Sequence, residues 1–138
     1  MLILADEAEK HGVTVVIEAI NFYVNNYLCT VKSVCDFVDN LGRGNIKVHI
    51  DTHHMAIEET SIRDAIRYAG RRIGYVHISE NNRMYPGATN GDYGMVMQEL
   101  KAAGYKGWMT FEITPRPDPD TAARCAIEHM KERGGNAV

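Results

Sequence analysis

The sequence carries no excess of positive charge. Lys and Arg total 15 against 18 for Asp and Glu, giving a net charge of −3 over 138 residues. Proteins that bind duplex nucleic acid are usually basic, so that class of partner is disfavoured. No apolar run approaches the ~18 residues needed to span a bilayer as a helix, so no membrane partner is expected. The opening Met1-Leu-Ile-Leu-Ala-Asp-Glu meets acid at Asp6 and lacks the basic stretch and long apolar core of a secretory signal. There are three cysteines, Cys29, Cys35 and Cys125, with no C-x-x-C pair. Cys35 and Cys125 fall on the apolar faces of expected helices. They read as reduced, buried thiols, and the expected location is cytoplasmic. Neither a G-x-G-x-x-G motif nor a P-loop is present, and no low-complexity tract or Pro/Gly linker divides the chain. What remains is 45% hydrophobic and 24% charged. That suffices for one unit with a core, residues 1–138, and is too little for two.

The pattern alternates short β-branched runs with helical runs. Residues 2–10 predict a helix ending at His11-Gly12. Val13-Thr-Val-Val-Ile17 is a continuous β-branched run, as expected of a strand buried on both faces. Val31, Val34, Cys35, Val38 and Leu41 recur at helical spacing, with Thr30 as N-cap and Gly42 and Gly44 as stops. Ile46-Lys-Val-His-Ile50 is the second strand. Ser61 and Asp64 form a capping-box-like start for a helix that ends at Gly70. Ile73-Gly-Tyr-Val-His-Ile78 is the third strand, and Asp92 caps a helix ending at Gly104. Trp108-Met-Thr-Phe111 is the fourth strand. Asp118-Pro119 opens a last helix, which Gly134-Gly135 ends.

The order is therefore one helix followed by four βα units, an α/β class with parallel strands and right-handed crossovers. The strand centres lie about 30 residues apart, which matches the roughly 31 per unit of a (β/α)8 barrel but also suits an open doubly wound sheet.

Each strand ends in a residue that is costly to bury alone. These are Glu18, then Asp51 with His54 three residues on, then His77, then Glu112. In parallel α/β folds the C-terminal strand ends converge on the ligand site. Three carboxylates gathered at one rim repel unless protonated or bound to a cation. With one imidazole, they suit a divalent ion of the Mn²⁺, Co²⁺, Mg²⁺ or Zn²⁺ kind. His49, inside a strand, reads as a core or supporting residue, and His53 as an aromatic wall. His11 and His129 read as solvated residues at helix ends or faces.

These residues carry a resemblance. Ile17-Glu18-Ala-Ile-Asn21, Asp51-Thr-His-His54-Met-Ala-Ile-Glu58-Glu59, His77-Ile-Ser-Glu80-Asn-Asn-Arg83 with Pro86-Gly87, and Thr110-Phe-Glu112 resemble the xylose-isomerase-like TIM-barrel superfamily. The likeness is greatest to the D-tagatose 3-epimerase group of ketose 3-epimerases. It covers nearly the whole chain but only the C-terminal half of the family's (β/α)8 barrel, strands five to eight, so the N-terminal half is absent.

The resemblance implies that Glu18, Asp51, His77 and Glu112 hold a divalent metal, Mn²⁺ or Co²⁺ before Mg²⁺ or Zn²⁺. It implies that Glu18 and Glu112 are also the catalytic pair working on opposite faces of a sugar, and that His54 and Arg83 bind substrate oxygens. The implied activity is a metal-dependent epimerisation or isomerisation of a ketose or aldose through a cis-enediolate. One carboxylate takes a proton beside the carbonyl and the other returns one. The family's Glu-Pro-Leu-Asn-Arg-Tyr-Glu motif is Glu18-Ala19-Ile20-Asn21-Phe22-Tyr23-Val24 here. Val24 thus replaces a substrate-contacting glutamate, which points to a less hydroxylated or differently oriented substrate.

Two other readings compete. One is a metal-dependent phosphodiesterase of the endonuclease IV type, which the net charge and the single ligand quartet disfavour. The other is a non-catalytic half-barrel that self-associates. A half-barrel exposes two strand edges, so the chain is expected to be a fragment, a split-gene product or one half of a symmetric pair. A fragment that forms a homodimer, or that pairs with a missing N-terminal half, is the favoured expectation.

Overall fold

The structure is a computed structural model and describes residues 1–134. Helix α1, Leu2–Lys10, turns Ala5 and Ala8 inward. Strand β1 is Val15–Glu18. It starts later than the β-branched run suggests, because the Val13 amide is spent on the Ala8 carbonyl at 2.9 Å in the turn that closes α1.

Helix α2, Val31–Leu41, begins where the Thr30 side chain accepts from the Ser33 amide. It ends at Gly42, whose φ of 64° is one that glycine adopts without a Cβ clash. Val31, Val34, Cys35 and Val38, at helical spacing, form its buried stripe. Strand β2, Ile46–Asp51, runs directly into helix α3, Thr52–Glu58. Helix α4, Ile62–Ala69, is capped by Ser61, which accepts from the Asp64 amide.

A short 3-10 turn, Gly70–Arg72, leads into β3, Ile73–Ile78. Helix α5, Tyr93–Ala102, is capped by Asp92 on the Met95 amide. Strand β4 is Met109–Phe111. It is one residue shorter than expected, since the Trp108 carbonyl accepts from the Tyr105 hydroxyl at 2.6 Å instead of joining the ladder. Helix α6, Pro119–Gly134, starts with the Thr121 amide on Asp118. Its expected stop at Gly134-Gly135 falls at the edge of the described residues, and Gly135 lies outside them.

The four strands form one parallel sheet in the order β1-β2-β3-β4. Alternation along each strand gives the sheet two unlike faces. Ile46, Val48, Ile50, Val76 and Ile78 are buried with the helix residues Val34, Ile66 and Leu100 in the apolar core. The opposite, concave face carries Val16, Glu18, Lys47, His49, Asp51, Tyr75, His77 and Thr110. The register pairs Glu18 with His49, Asp51 with His77, and His77 with Thr110.

Helices α4 and α5 are clamped by Glu99, which accepts from Arg63 at 2.8 Å and from Arg67 at 2.8 and 2.9 Å. Among the described residues, β1 and β4 are each paired on one side only. The architecture is thus a four-unit, parallel βα segment of a TIM barrel. All three cysteines are free. Cys35 is buried, which pushes its thiol up to about 11, and Cys29 and Cys125 are partly buried.

Candidate metal centre

The C-terminal ends of the strands meet on the concave side. Glu18, Asp51, His77 and Glu112 each bring a ligating atom within 4.8 Å of the others. All four residues expected to ligate are therefore gathered. His77 Nδ1 lies 3.8 Å from Glu18 Oε1, 3.6 Å from Asp51 Oδ2 and 3.0 Å from Glu112 Oε2. None of these has hydrogen-bond geometry, and both His77 Nδ1 and Glu18 Oε1 are buried without a partner.

Two donors facing each other across an ion at about 2.1 Å are about 4.2 Å apart, so small side-chain movements close this set around a divalent cation. The two orphaned atoms are the kind of buried groups that native structures otherwise satisfy. The donor set of three carboxylates and one imidazole fits Mn²⁺, Co²⁺, Mg²⁺ or Zn²⁺.

Asp51 is fully buried and does three things at once. It caps α3 by accepting from the His53 amide at 2.8 Å, it faces the ligand cluster, and it accepts from Arg83 Nη1 at 2.5 Å. Burial pushes its carboxyl up. The hydrogen bonds it accepts from Arg83 and the His53 amide, together with the Arg83 charge, outweigh that and hold it below the usual range. Glu18 has no such donor, so burial and then the Asp51 charge raise its pKa. The two carboxylates are pushed apart in acidity by their surroundings, a common property of acid–base sites.

Arg83 also reaches Glu112 Oε2 at 2.8 Å, Ser79 Oγ at 3.2 Å and His54 Nε2 at 3.1 Å. It does so from a backbone φ of 61°, an uncommon conformation for a residue with a side chain. His54 is buried on α3. Its Nδ1 meets Asn21 Nδ2 at 2.7 Å, and its Nε2 lies 3.9 Å from Glu18 Oε1. His54 and Arg83 therefore stand together at the rim of the carboxylate cluster.

Several parts of the site lie beyond the sequence expectations. Helix α3 was not anticipated. Thr52 Oγ1 donates to the Ser79 carbonyl at 2.7 Å and accepts from the Ser79 amide at 2.9 Å, latching β2 to β3 just above their last ladder pair. Glu80, buried at the end of β3, accepts from the Gly87 amide at 2.8 Å, the Gly91 amide at 3.2 Å and the Thr89 hydroxyl. It folds the following loop around itself, and Arg83 springs from that loop. His49 is a buried concave-face residue whose ring meets His77 edge-on at 4.2 Å. Burial lowers its pKa to about 4, which keeps the imidazole neutral. His53 packs edge-on against His54 at 5.1 Å. The expectation of a solvated His129 is corrected. Its ring packs edge-on against Tyr93 at 5.8 Å and lies beside Gly87, the close approach a longer residue there would block.

A profile described as the xylose isomerase-like TIM barrel matches residues 1–133. The chain belongs to the xylose isomerase-like TIM-barrel family. Within that family it is 39% identical over 148 aligned positions to the L-ribulose 3-epimerase of Methylomonas sp. (strain DH-1), covering 94% of this chain and 52% of that one. It is 38% identical over 109 positions to the D-psicose 3-epimerase of Enterocloster bolteae, covering 79% and 36%. The crystal structure of a D-psicose 3-epimerase in the presence of D-fructose superposes with a TM-score of 0.92 at 30% identity, covering 98% of this chain and 54% of that one. This member of the xylose isomerase-like family thus spans about half, or less, of the length of the relatives it matches. Among the described residues, no helix is long and apolar enough to cross a membrane.

Proposed function

We propose that this chain is the metal-bearing half-barrel of a sugar epimerase or isomerase acting on a ketose or aldose. Residues 1–138 form one unit of it. The observation that carries the reading is the convergence of Glu18, Asp51, His77 and Glu112 within 4.8 Å at the strand ends, in a chain whose relatives bear the names of 3-epimerases. These four residues hold the divalent ion, Mn²⁺ or Co²⁺ by preference. Bound there, the ion supplies Lewis acidity to a carbonyl and its neighbouring hydroxyl, making the adjacent C–H acidic enough to lose its proton.

The chain's own groups do the rest. Glu18 and Glu112 exchange the proton with the two faces of the carbon, passing through a cis-enediolate. Arg83 and His54, side by side at 3.1 Å, hold the substrate oxygens that gain charge. Arg83 must divide its hydrogen bonds between those oxygens and the Asp51 and Glu112 carboxylates it now contacts.

The partner is a second set of βα units, either an N-terminal half or another copy of this chain. Three features support it: the unpaired outer sides of β1 and β4, a concave face that leaves Val16 exposed, and the half-length match to the relatives. The cytoplasm, where the free thiols stay reduced, is the proposed location.

Calorimetric titration with Mn²⁺ tests the site, with saturable binding expected and its loss expected in Glu112→Gln. Absence of binding by a chain folded according to circular dichroism would overturn the reading in favour of a non-catalytic half-barrel. Sugar epimerisation is expected to be weak for the isolated chain and to rise when the other half is supplied in trans.

A further inference from the structure

The concave face offers a second, overlapping set of ligands. His49 precedes Asp51 by two residues on the same face of β2 and is the register partner of Glu18 on β1. His49 Nδ1 lies 3.9 Å from Glu18 Oε2, and Glu18 Oε1 lies 3.8 Å from His77 Nδ1. Ligating atoms of Glu18, His49 and His77 all fall within 4.8 Å of one another, as those of the quartet do. His49 is only 7% exposed, and its Nε2 is buried without a hydrogen-bond partner. A buried ring nitrogen without a partner is a cost that native structures rarely carry without a use.

The two sets share Glu18 and His77 and differ in what completes them. Asp51 and Glu112 make the upper set oxygen-rich. His49 makes the lower set two imidazoles and one carboxylate. Carboxylates suit Mn²⁺ and Mg²⁺, whereas imidazoles suit Zn²⁺, Cu²⁺ and Ni²⁺, and two histidines with one glutamate form a well-known zinc ligand set. We propose that Glu18, His49 and His77 form a distinct site for a nitrogen-preferring divalent ion of the Zn²⁺ or Cu²⁺ class, seated one step deeper toward the sheet than the quartet ion and mutually exclusive with it. This inference rests on the quartet reading above. An ion in the deeper site takes Glu18 out of proton exchange and keeps Asp51 and Glu112 from closing on Mn²⁺. Zn²⁺ therefore acts on this chain as an inhibitor rather than as an alternative cofactor.

The test is titration of the whole chain with Mn²⁺ and, separately, with Zn²⁺, using wild type, His49→Phe and Asp51→Asn. His49→Phe keeps an aromatic ring and removes the nitrogens. It is expected to weaken Zn²⁺ by at least about tenfold while leaving Mn²⁺ within about twofold, and Asp51→Asn to show the opposite pattern. Equal Zn²⁺ affinity in His49→Phe and wild type, or parallel losses of both ions in both variants, overturns the deeper site. Loss of the quartet reading itself is distinguishable, since Mn²⁺ then fails to respond to Asp51→Asn. Electron paramagnetic resonance of wild type loaded with Cu²⁺ gives a readout that needs no variant to fold. Coupling to two imidazole nitrogens supports the site, and coupling to one or none overturns it.

Discussion

Replacing Asp51 with Asn separates the charge of that residue from its shape. Asn caps a helix about as well as Asp, so the start of α3 on the His53 amide survives. Two opposing electrostatic contributions disappear. One is the attraction to Arg83, a charge-assisted hydrogen bond of about 1.5–3 kcal/mol. Arg83 is not stranded, because Glu112 Oε2 still holds it at 2.8 Å. The other is repulsion from Glu18. At the 4.8 Å bound on the separation of their ligating atoms, two unit charges at an effective dielectric of about 20 repel by about 3.5 kcal/mol. The two contributions largely offset, leaving about 0.5–2 kcal/mol in the variant's favour, so in chelator the variant should be at least as stable as wild type.

Metal shifts the balance. At one hundred times its dissociation constant, a bound ion stabilises wild type by about 2.7 kcal/mol, a rise in Tm of roughly 10 °C for a chain of this size. Asp51→Asn should show little of that rise. Paired thermal melts in EDTA and in excess Mn²⁺ check both halves of the argument. A variant destabilised by more than about 3 kcal/mol in EDTA would refute the idea that the carboxylates are crowded. A variant that keeps the full metal-induced rise would refute the role of Asp51 as a ligand.

Other outcomes follow from the packing. Ile50→Ala empties a fully buried position between the sheet and its helices, and urea unfolding should record a loss of about 2–5 kcal/mol. Gly87→Ala should lower Tm for two reasons. The backbone φ there is 90°, and the added methyl would lie 2.3 Å from His129 Nδ1. His129→Ala should rescue it only in part, since the backbone penalty remains. Hydrogen bonding to Arg67, aided by Arg63, depresses the pKa of Glu99. Its contribution is therefore present above the ordinary glutamate range and is lost as pH falls through the depressed folded value. Glu99→Gln should lower Tm at neutral pH, and the gap to wild type should close in acid. A gap that persists at low pH would indicate a packing defect instead.

The parts of the fold that were legible from local pattern are those with local causes. Thr30, Ser61, Asp92 and Asp118 cap helices through amides three residues ahead, so their signal sits within one turn of chain. The gathering of Glu18, Asp51, His77 and Glu112 was legible because a parallel sheet in chain order brings strand ends together. Helix α3 was hidden because its first residues, Thr52 to His54, read as site chemistry, and its cap, Asp51, already ends a strand. Glu80 stands in the His77-Ile-Ser-Glu80 motif with no legible task, because its partners arrive seven, nine and eleven residues later in a loop with no periodicity. The contact of His129 with Gly87 depends on how α6 docks, which no local pattern carries.

The Thr52 hydroxyl, both donor to and acceptor from Ser79, makes a further rung beyond the end of a β ladder, built from a side chain. In amide exchange this places the Ser79 N–H among the groups released only when the sheet itself opens. A few residues on, Asn81 and Asn82 are exposed and exchange from the folded state. The boundary between the slowest and fastest protons thus runs between His77 and Arg83. A sugar held by Arg83 would slow exchange in the loop and leave the strand beneath it untouched. The parallel sheet and the loop that carries Arg83 are, in this sense, separate kinetic compartments.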